Sequence, residues 1–137
     1  LKRNSSRKPI RTTDPDGSLV VLVPLSRGGY ACVDVETHDE LVVRLGFSDK
    51  WMLNFNGQKT AAIVRCSHPK SEATGSLLSI GRLVYEAPPG YAVRHRDGDT
   101  KNLRRSNLYL VEHPRAGSRE LSVLQRRRAE REMSERG

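Results

Sequence analysis

A histidine and an asparagine, His95 and Asn107, frame the most chemically loaded stretch of this chain. Between them lies Asp97-Gly98-Asp99, a tight acidic turn. A strand ending at His95 and a partner starting after Asn107 would carry both polar groups to one end of a hairpin. An imidazole placed there takes a proton near neutral pH, and a carboxamide beside it can orient the ring and fix its tautomer. Arg94, Arg96, Lys101, Arg104 and Arg105 surround the pair and outnumber Asp97 and Asp99. A general base ringed by cations suits a phosphodiester, because the cations hold the phosphate's charge. A surface hairpin whose histidine merely bonds its own turn would use the same residues, and spacing alone leaves both open.

The elements that must position this pair are legible from local pattern. Tyr91 to His95 reads as a strand and Leu108 to Val111 as its partner. Before them, Leu77 to Glu86 has apolar residues at 77, 80, 83 and 84, which predicts a helix ended by Pro88-Pro89-Gly90. Leu19 to Val23 and Tyr30 to Asp34 form a predicted strand pair around Gly28-Gly29. Thr37-His38-Asp39-Glu40 fits a capping box that opens a short helix through Leu41, Val42 and Leu45, with Gly46 as its stop. Trp51 to Phe55 and Thr60 to Cys66 flank Asn56-Gly57, a strong hairpin signal, and residues 67–75 form a polar loop. After Pro114 and Gly117, Ser118 is a candidate N-cap for a C-terminal helix with Leu121, Val123, Leu124 and Met133 as a thin apolar edge. The fold class expected is α+β: a small antiparallel sheet with short helices, then a hairpin-and-helix unit, then a basic helix.

Charge divides the chain into three parts. The 137 residues carry a net +8, but residues 1–13 hold five cations and no acid, residues 14–113 are balanced, and residues 114–137 hold seven arginines against four glutamates. This predicts a flexible basic arm over 1–17, a neutral body over 18–113 with its hairpin at 91–113, and a basic helix over 114–137. A polyanion attracts such arms through counterion release. Lys2, Arg3, Arg7 and Lys8 on the first arm, and Arg126, Arg127 and Arg128 on the last, are candidate phosphate contacts. A salt-bridged helix is the alternative for the last group, with Arg128 and Glu132 at the spacing of an ion pair. The length excludes a multidomain enzyme, and no apolar run approaches the ~18 residues of a membrane span. No secretory signal opens these residues, which suggests a cytoplasmic setting. Cys32 and Cys66 lack a CxxC partner and lie in apolar stretches, so they read as buried free thiols rather than zinc ligands. Only seven Phe, Trp and Tyr residues occur, which argues against single-strand binding by stacking.

An ordered series of residues then resembles the HNH endonucleases of the phage homing type, a family related to AP2-like DNA-binding domains. It comprises Val23-Pro24-Leu25-Ser26-Arg27-Gly28, Ala31, Val33-Asp34, Trp51, Arg82 to Ala87, Pro89-Gly90-Tyr91, and the run from His95 to Asn107-Leu108. The resemblance implies a ββα-metal unit in which one divalent ion, magnesium or manganese, stabilises the leaving group of DNA hydrolysis. By position His95 matches the general base and Asn107 the residue that orients it. Three positions depart from the family pattern. Arg94 stands where an aspartate ligand often precedes the base, Ala116 stands where a second ligand falls without a gap, and Gly81-Arg82 replaces a His-Arg pair. A shifted helix would make Glu120 a ligand instead, and Asp97, Asp99 and His113 are further substitutes. By analogy with AP2-like sheets, Asn54, Asn56, Gln58 and Lys59 are candidates for reading bases. The partner expected is double-stranded DNA, bound with or without metal-dependent cleavage. Alternatives are a non-enzymatic DNA-binding regulator or architectural factor that keeps the fold, and an RNA or ribonucleoprotein partner.

Overall fold

The computed structural model describes residues 7–55, 62–67 and 77–136. It is α+β, built from two three-stranded antiparallel sheets, a two-stranded ribbon and short helices, and it ends in one long helix. The first sheet begins earlier than the charge pattern suggests. Residues 10–13, expected within a flexible arm, form β1 (Ile10–Thr13), which pairs with β2 (Leu19–Pro24) from Ile10↔Leu22 to Thr13↔Leu19. All four β1 residues are exposed, so backbone hydrogen bonding to β2, rather than burial, recruits a stretch that composition marks as an arm. β3 (Tyr30–Asp34) returns along β2 as expected. Val21, Val23, Ala31 and Val33 alternate inward and are fully buried.

The capping box at Thr37 does not form. The helix α1 starts directly after β3 (Val35–His38) and continues with π-helical winding over Asp39–Arg44. Asp34 sits at the N-cap without capping, because its carboxylate accepts from the Arg105 backbone N–H at 3.0 Å. Thr37 is therefore inside the helix. Gly46, at φ +78°, supplies the left-handed stop.

The second sheet has the order β4 (Met52–Phe55), β5 (Ala62–Ser67), β6 (Leu77–Ser79). The Asn56-Gly57 turn lies outside the described residues. The helix expected from Leu77 instead begins as β6, since the register Arg65↔Ser79 to Ser67↔Leu77 gives those residues strand partners. Ser79 then caps α2 (Ile80–Tyr85), its hydroxyl accepting from Arg82 N at 3.5 Å. Glu86 closes α2 with φ +51°.

The ribbon β7 (Tyr91–His95) and β8 (Leu108–Glu112) follows, then α3 (Arg119–Arg136). One core joins these elements, β1 apart, through Val21, Trp51, Leu78, Leu83, Leu108 and Leu124, each almost fully buried and each contributing about 2 kcal/mol. Trp51 also donates its Nε1–H to the Ser48 carbonyl at 2.7 Å. The apolar edge of α3 is shorter than its sequence suggests: Val123 and Leu124 are buried, but Met133 is 71% exposed. Cys66 is buried as expected, whereas Cys32 is only partly covered; both are free. Cys32 instead stitches the first sheet to the ribbon's loop, with Cys32 N bonded to Lys101 O at 2.8 Å and Leu103 N to Cys32 O at 2.7 Å. The end of the ribbon that carries His95 is thus held from the N-terminal sheet. Among the described residues no helix is long and apolar enough to cross a membrane.

Candidate nucleic-acid interface

His95 ends β7 opposite Leu108, and the Arg96 N–H reaches the Asn107 carbonyl at 2.7 Å. The histidine and asparagine therefore stand at the same end of one ribbon, as the spacing predicts. Their side chains do different work from that expected. The Asn107 amide donates to Asp97 Oδ1 at 3.0 Å and to the Asn102 carbonyl at 2.9 Å, and its oxygen accepts from Asp97 N at 3.1 Å. Both amide protons are committed to the turn, so Asn107 orients the loop after His95 rather than the imidazole. It does this while buried, and a turn so tied places the histidine backbone rigidly.

Asp97 completes that staple. Its carboxylate accepts from Asp99 N at 2.8 Å and from Asn102 Nδ2 at 2.8 Å besides Asn107, and these bonds, with Asn102 first, hold its pKa below the usual carboxylate range. Gly98 takes φ +76° at the turn. The His95 ring is half-buried and its Nε2 has no protein partner. Burial is the largest cause lowering its pKa, with Arg94 adding to it and Asp97 and Asp99 opposing. The shift favours the uncharged ring at neutral pH.

His95 opens into a groove of about 480 Å³ bounded by β5, β7 and the start of α3. Arg65, Arg82, Arg94 and Arg119 line it together with the histidine, against the single carboxylate of Glu120. Glu120 is only 4% exposed. Its Oε2 accepts from Ser79 N at 2.8 Å and its Oε1 lies 3.4 Å from Arg82 Nε. Arg82 in turn donates to the carbonyls of Tyr91 at 2.7 Å, Pro88 at 3.2 Å and Gly117 at 2.7 Å. This pair locks α2, the ribbon and α3 around the groove, a role that sequence reading did not assign to Arg82.

A divalent ion does not fit these residues. Both Glu120 oxygens are answered by protein, both Asp97 oxygens are spent on the turn, and Arg94 occupies the position before the histidine. The arginines that line the groove would repel a cation that wants hard oxygen donors. Among the described residues no three His, Cys, Asp or Glu side chains gather as an ion would need. Asp99 caps the turn through Lys101 N at 2.9 Å, and His113 is exposed beyond β8.

The cations named from sequence divide by what they touch. Arg94 is exposed at the groove. Arg96 stacks over the Tyr109 ring at 5.1 Å. Lys101 is partly exposed. Arg104 is turned inward against Asp14, Asp16 at 3.0 Å and Asp34 at 3.6 Å. Arg105 donates to the Val84 carbonyl and stacks over Tyr85. On α3, Arg127 donates to Leu45 O at 2.7 Å and lies over Phe47. Arg128 pairs with Glu86 at 3.1 Å and Glu40 at 3.3 Å, not with Glu132, because the long helix packs these carboxylates nearer. Arg126 is exposed and also makes contacts of its own. Arg7 reaches the Leu25 carbonyl at 2.5 Å and stacks on Tyr30, while Lys8 is exposed. Lys2, Arg3, Asn56, Gln58 and Lys59 lie outside the described residues. Asn54 pairs with Ile63 as Met52 pairs with Arg65, so Asn54 and Arg65 share one sheet face. Arg65 itself was missed. The available signal was its place in β5 between inward-facing Val64 and Cys66, since a cation there must point to the opposite face.

Residues 85–117 match a family model described as HNH endonuclease, which takes in the ribbon, His95, Asn107 and the turn between them. The match covers about a quarter of the chain. No curated protein and no solved structure matches it. The ribbon is thus similar to a nuclease-type motif, which supports a nucleic-acid partner.

Proposed function

We propose that this protein binds double-stranded DNA through its HNH-type ribbon and receives the phosphate backbone in the groove beside His95. The observation that carries this reading is the groove itself: four arginines and one histidine line it, and its one carboxylate is already bonded to protein. Such a lining attracts a polyanion and orients it, and the matched motif supplies the kind of polyanion. Kinship with the phage homing type rests on the ordered series from Val23 to Leu108, of which the opening strand pair and Trp51 lie outside the matched segment. Asn54, on the same sheet face as Arg65, is the described candidate for sequence preference.

A second reading, strand cleavage with His95 as general base, is favoured by one feature: burial leaves the ring uncharged and its Nε2 unpartnered. Supercoiled plasmid incubated with the full chain and magnesium or manganese, beside a His95→Ala control, separates the two. Retarded plasmid without nicks supports a DNA-binding protein. Nicks that vanish in the control would replace that reading with the nuclease one, and a stronger response to duplex RNA at matched salt would overturn both.

A further inference from the structure

Two buried nitrogens without protein partners line the same groove from different sheets. One is His95 Nε2 on the ribbon; the other is Arg65 Nε on β5. A buried guanidinium N–H left unanswered is costly, so folded chains rarely leave one without a ligand or water to meet it. An arginine is always charged, and what answers it best is an anion with acceptor oxygens. Glu120 does not serve, because its oxygens are taken by Ser79 N and Arg82.

The groove's size narrows the anion. Its roughly 480 Å³ falls in the range of sites that hold a nucleotide-sized ligand. Its walls alternate charge with apolar surface from Ile63, Ala92 and Val93, which suits a sugar-phosphate segment better than a bare ion. Arg94 and Arg119, both exposed at the rim, are placed to guide such a segment inward.

We infer that Arg65 anchors a backbone phosphate directly in this groove, as a guanidinium–phosphate contact made without a bridging metal ion. The nucleic-acid reading above supplies only the ligand's identity; the anion site rests on the groove. Arg65 lies outside the segment that matches the HNH family, so the second sheet contributes half of a site whose other half is the ribbon. The same sheet face carries Asn54 beside it, which puts a phosphate anchor and a base-reading candidate on one surface. Phosphate contacts fix register, and a side chain in that register can then read a base.

The test follows arginine Nε–H and histidine ring signals by NMR on the full chain in EDTA, at constant ionic strength. Inorganic phosphate is titrated first and a duplex of mixed sequence second. Saturable shifts at Arg65 and His95, with Arg104 unmoved, are expected from phosphate. Arg65→Gln should abolish them and weaken duplex binding by about tenfold to a hundredfold, and Arg65→Lys should recover part of the affinity. If Arg65→Gln fails to fold, the titration of the native chain decides alone. Diffuse shifts at every exposed cation, duplex affinity retained by a folded Arg65→Gln, or binding that requires magnesium would each overturn the inference. Duplex binding retained in that variant would leave the DNA reading standing. Saturable phosphate binding at Arg65 with no duplex binding would do the reverse.

Discussion

The groove and the C-terminal helix are both rich in arginine, and they differ in what answers each charge. On α3, Arg127 meets a backbone carbonyl and an aromatic face, Arg128 meets two glutamates, and Arg131 meets Glu135. In the groove, Arg65 Nε is buried with no partner and Arg94 is exposed beside it. Counting cations makes the helix the stronger candidate for a polyanion; accounting for their partners reverses the ranking. A guanidinium already held by two carboxylates loses those bonds if it turns to a phosphate, so it gains little. One that is unanswered has only desolvation to recover.

The comparison is broken most severely at Arg82, which holds the groove's architecture without facing an open ligand. Arg82→Ala strips four carbonyls of a donor and leaves Glu120 buried beside no cation except Arg119, 3.8 Å away. The expected loss is about 3 kcal/mol of stability, read from the urea midpoint with an unchanged slope. A loss below 1 kcal/mol would mean that the walls of the groove stand without it.

Next in size is Asn107→Ala, at about 2 kcal/mol. The variant leaves Asp97 N and the Asn102 carbonyl without their side-chain partner at a buried site. Hydrogen exchange should quicken first at residues 96–102, while β2 and β3 stay protected. Equal quickening in the first sheet would show that Asn107 supports the core rather than the turn.

The ribbon is legible in the sequence because strand, Asp-Gly turn and returning strand are local signals that fall within about twenty residues. The first and last elements were less so, for a shared reason. β1 is polar and exposed, and only its partner β2 makes it a strand. Leu77 to Ser79 has helical spacing, yet β5 claims its backbone. The roles of Asn107, Arg82 and Arg128 depend on partners up to 88 residues away in the chain, which spacing does not reveal. Arg65 needed both a strand assignment and the knowledge that a second sheet abuts the ribbon.

Acid should weaken the fold through two histidines of unequal burial. His38 is 6% exposed, its Nδ1 lying 3.8 Å from Asp39 without a hydrogen bond, and burial outweighs that carboxylate to hold its pKa below the ordinary value; His95 is shifted the same way, with burial again the largest cause. Both are neutral when folded, whereas the unfolded chain takes up protons at about pH 6.5. Their contribution to stability is complete above that pH and is lost as pH falls through the lower folded values. Asp16, held at about 2 by the Ser18 N–H and Arg104, loses its contribution only as pH falls from the ordinary carboxylate value towards 2, below this window. Urea midpoints between pH 7.5 and 5 should therefore decline, and His38→Asn should flatten the decline more than His95→Asn does. A decline that survives both substitutions would assign it to other groups. A duplex bound over His95 should reduce that residue's share, because a phosphate favours the charged ring.

The smallest expected effect is the most informative about charge. Arg128→Gln removes a cation from the most basic run of the chain, yet its charge is balanced by Glu40 and Glu86, and Glu86 is in turn held below its ordinary pKa chiefly by Arg128. Half-exposed pairs of this kind contribute about 1 kcal/mol or less to stability. Duplex affinity should fall less than twofold, with the salt dependence of binding nearly unchanged, because no counterion is released by an arginine that stays with its glutamates. Fluorescence anisotropy at several salt concentrations would measure both. A salt slope lowered by about one, as expected for a lost phosphate contact, would mean that Arg128 leaves its glutamates when DNA arrives, and the contrast between helix and groove would then vanish in the bound state. An unchanged slope, set beside a large loss in Arg65→Gln, would show that the partners of an arginine, more than its place in a basic run, decide whether it meets the backbone.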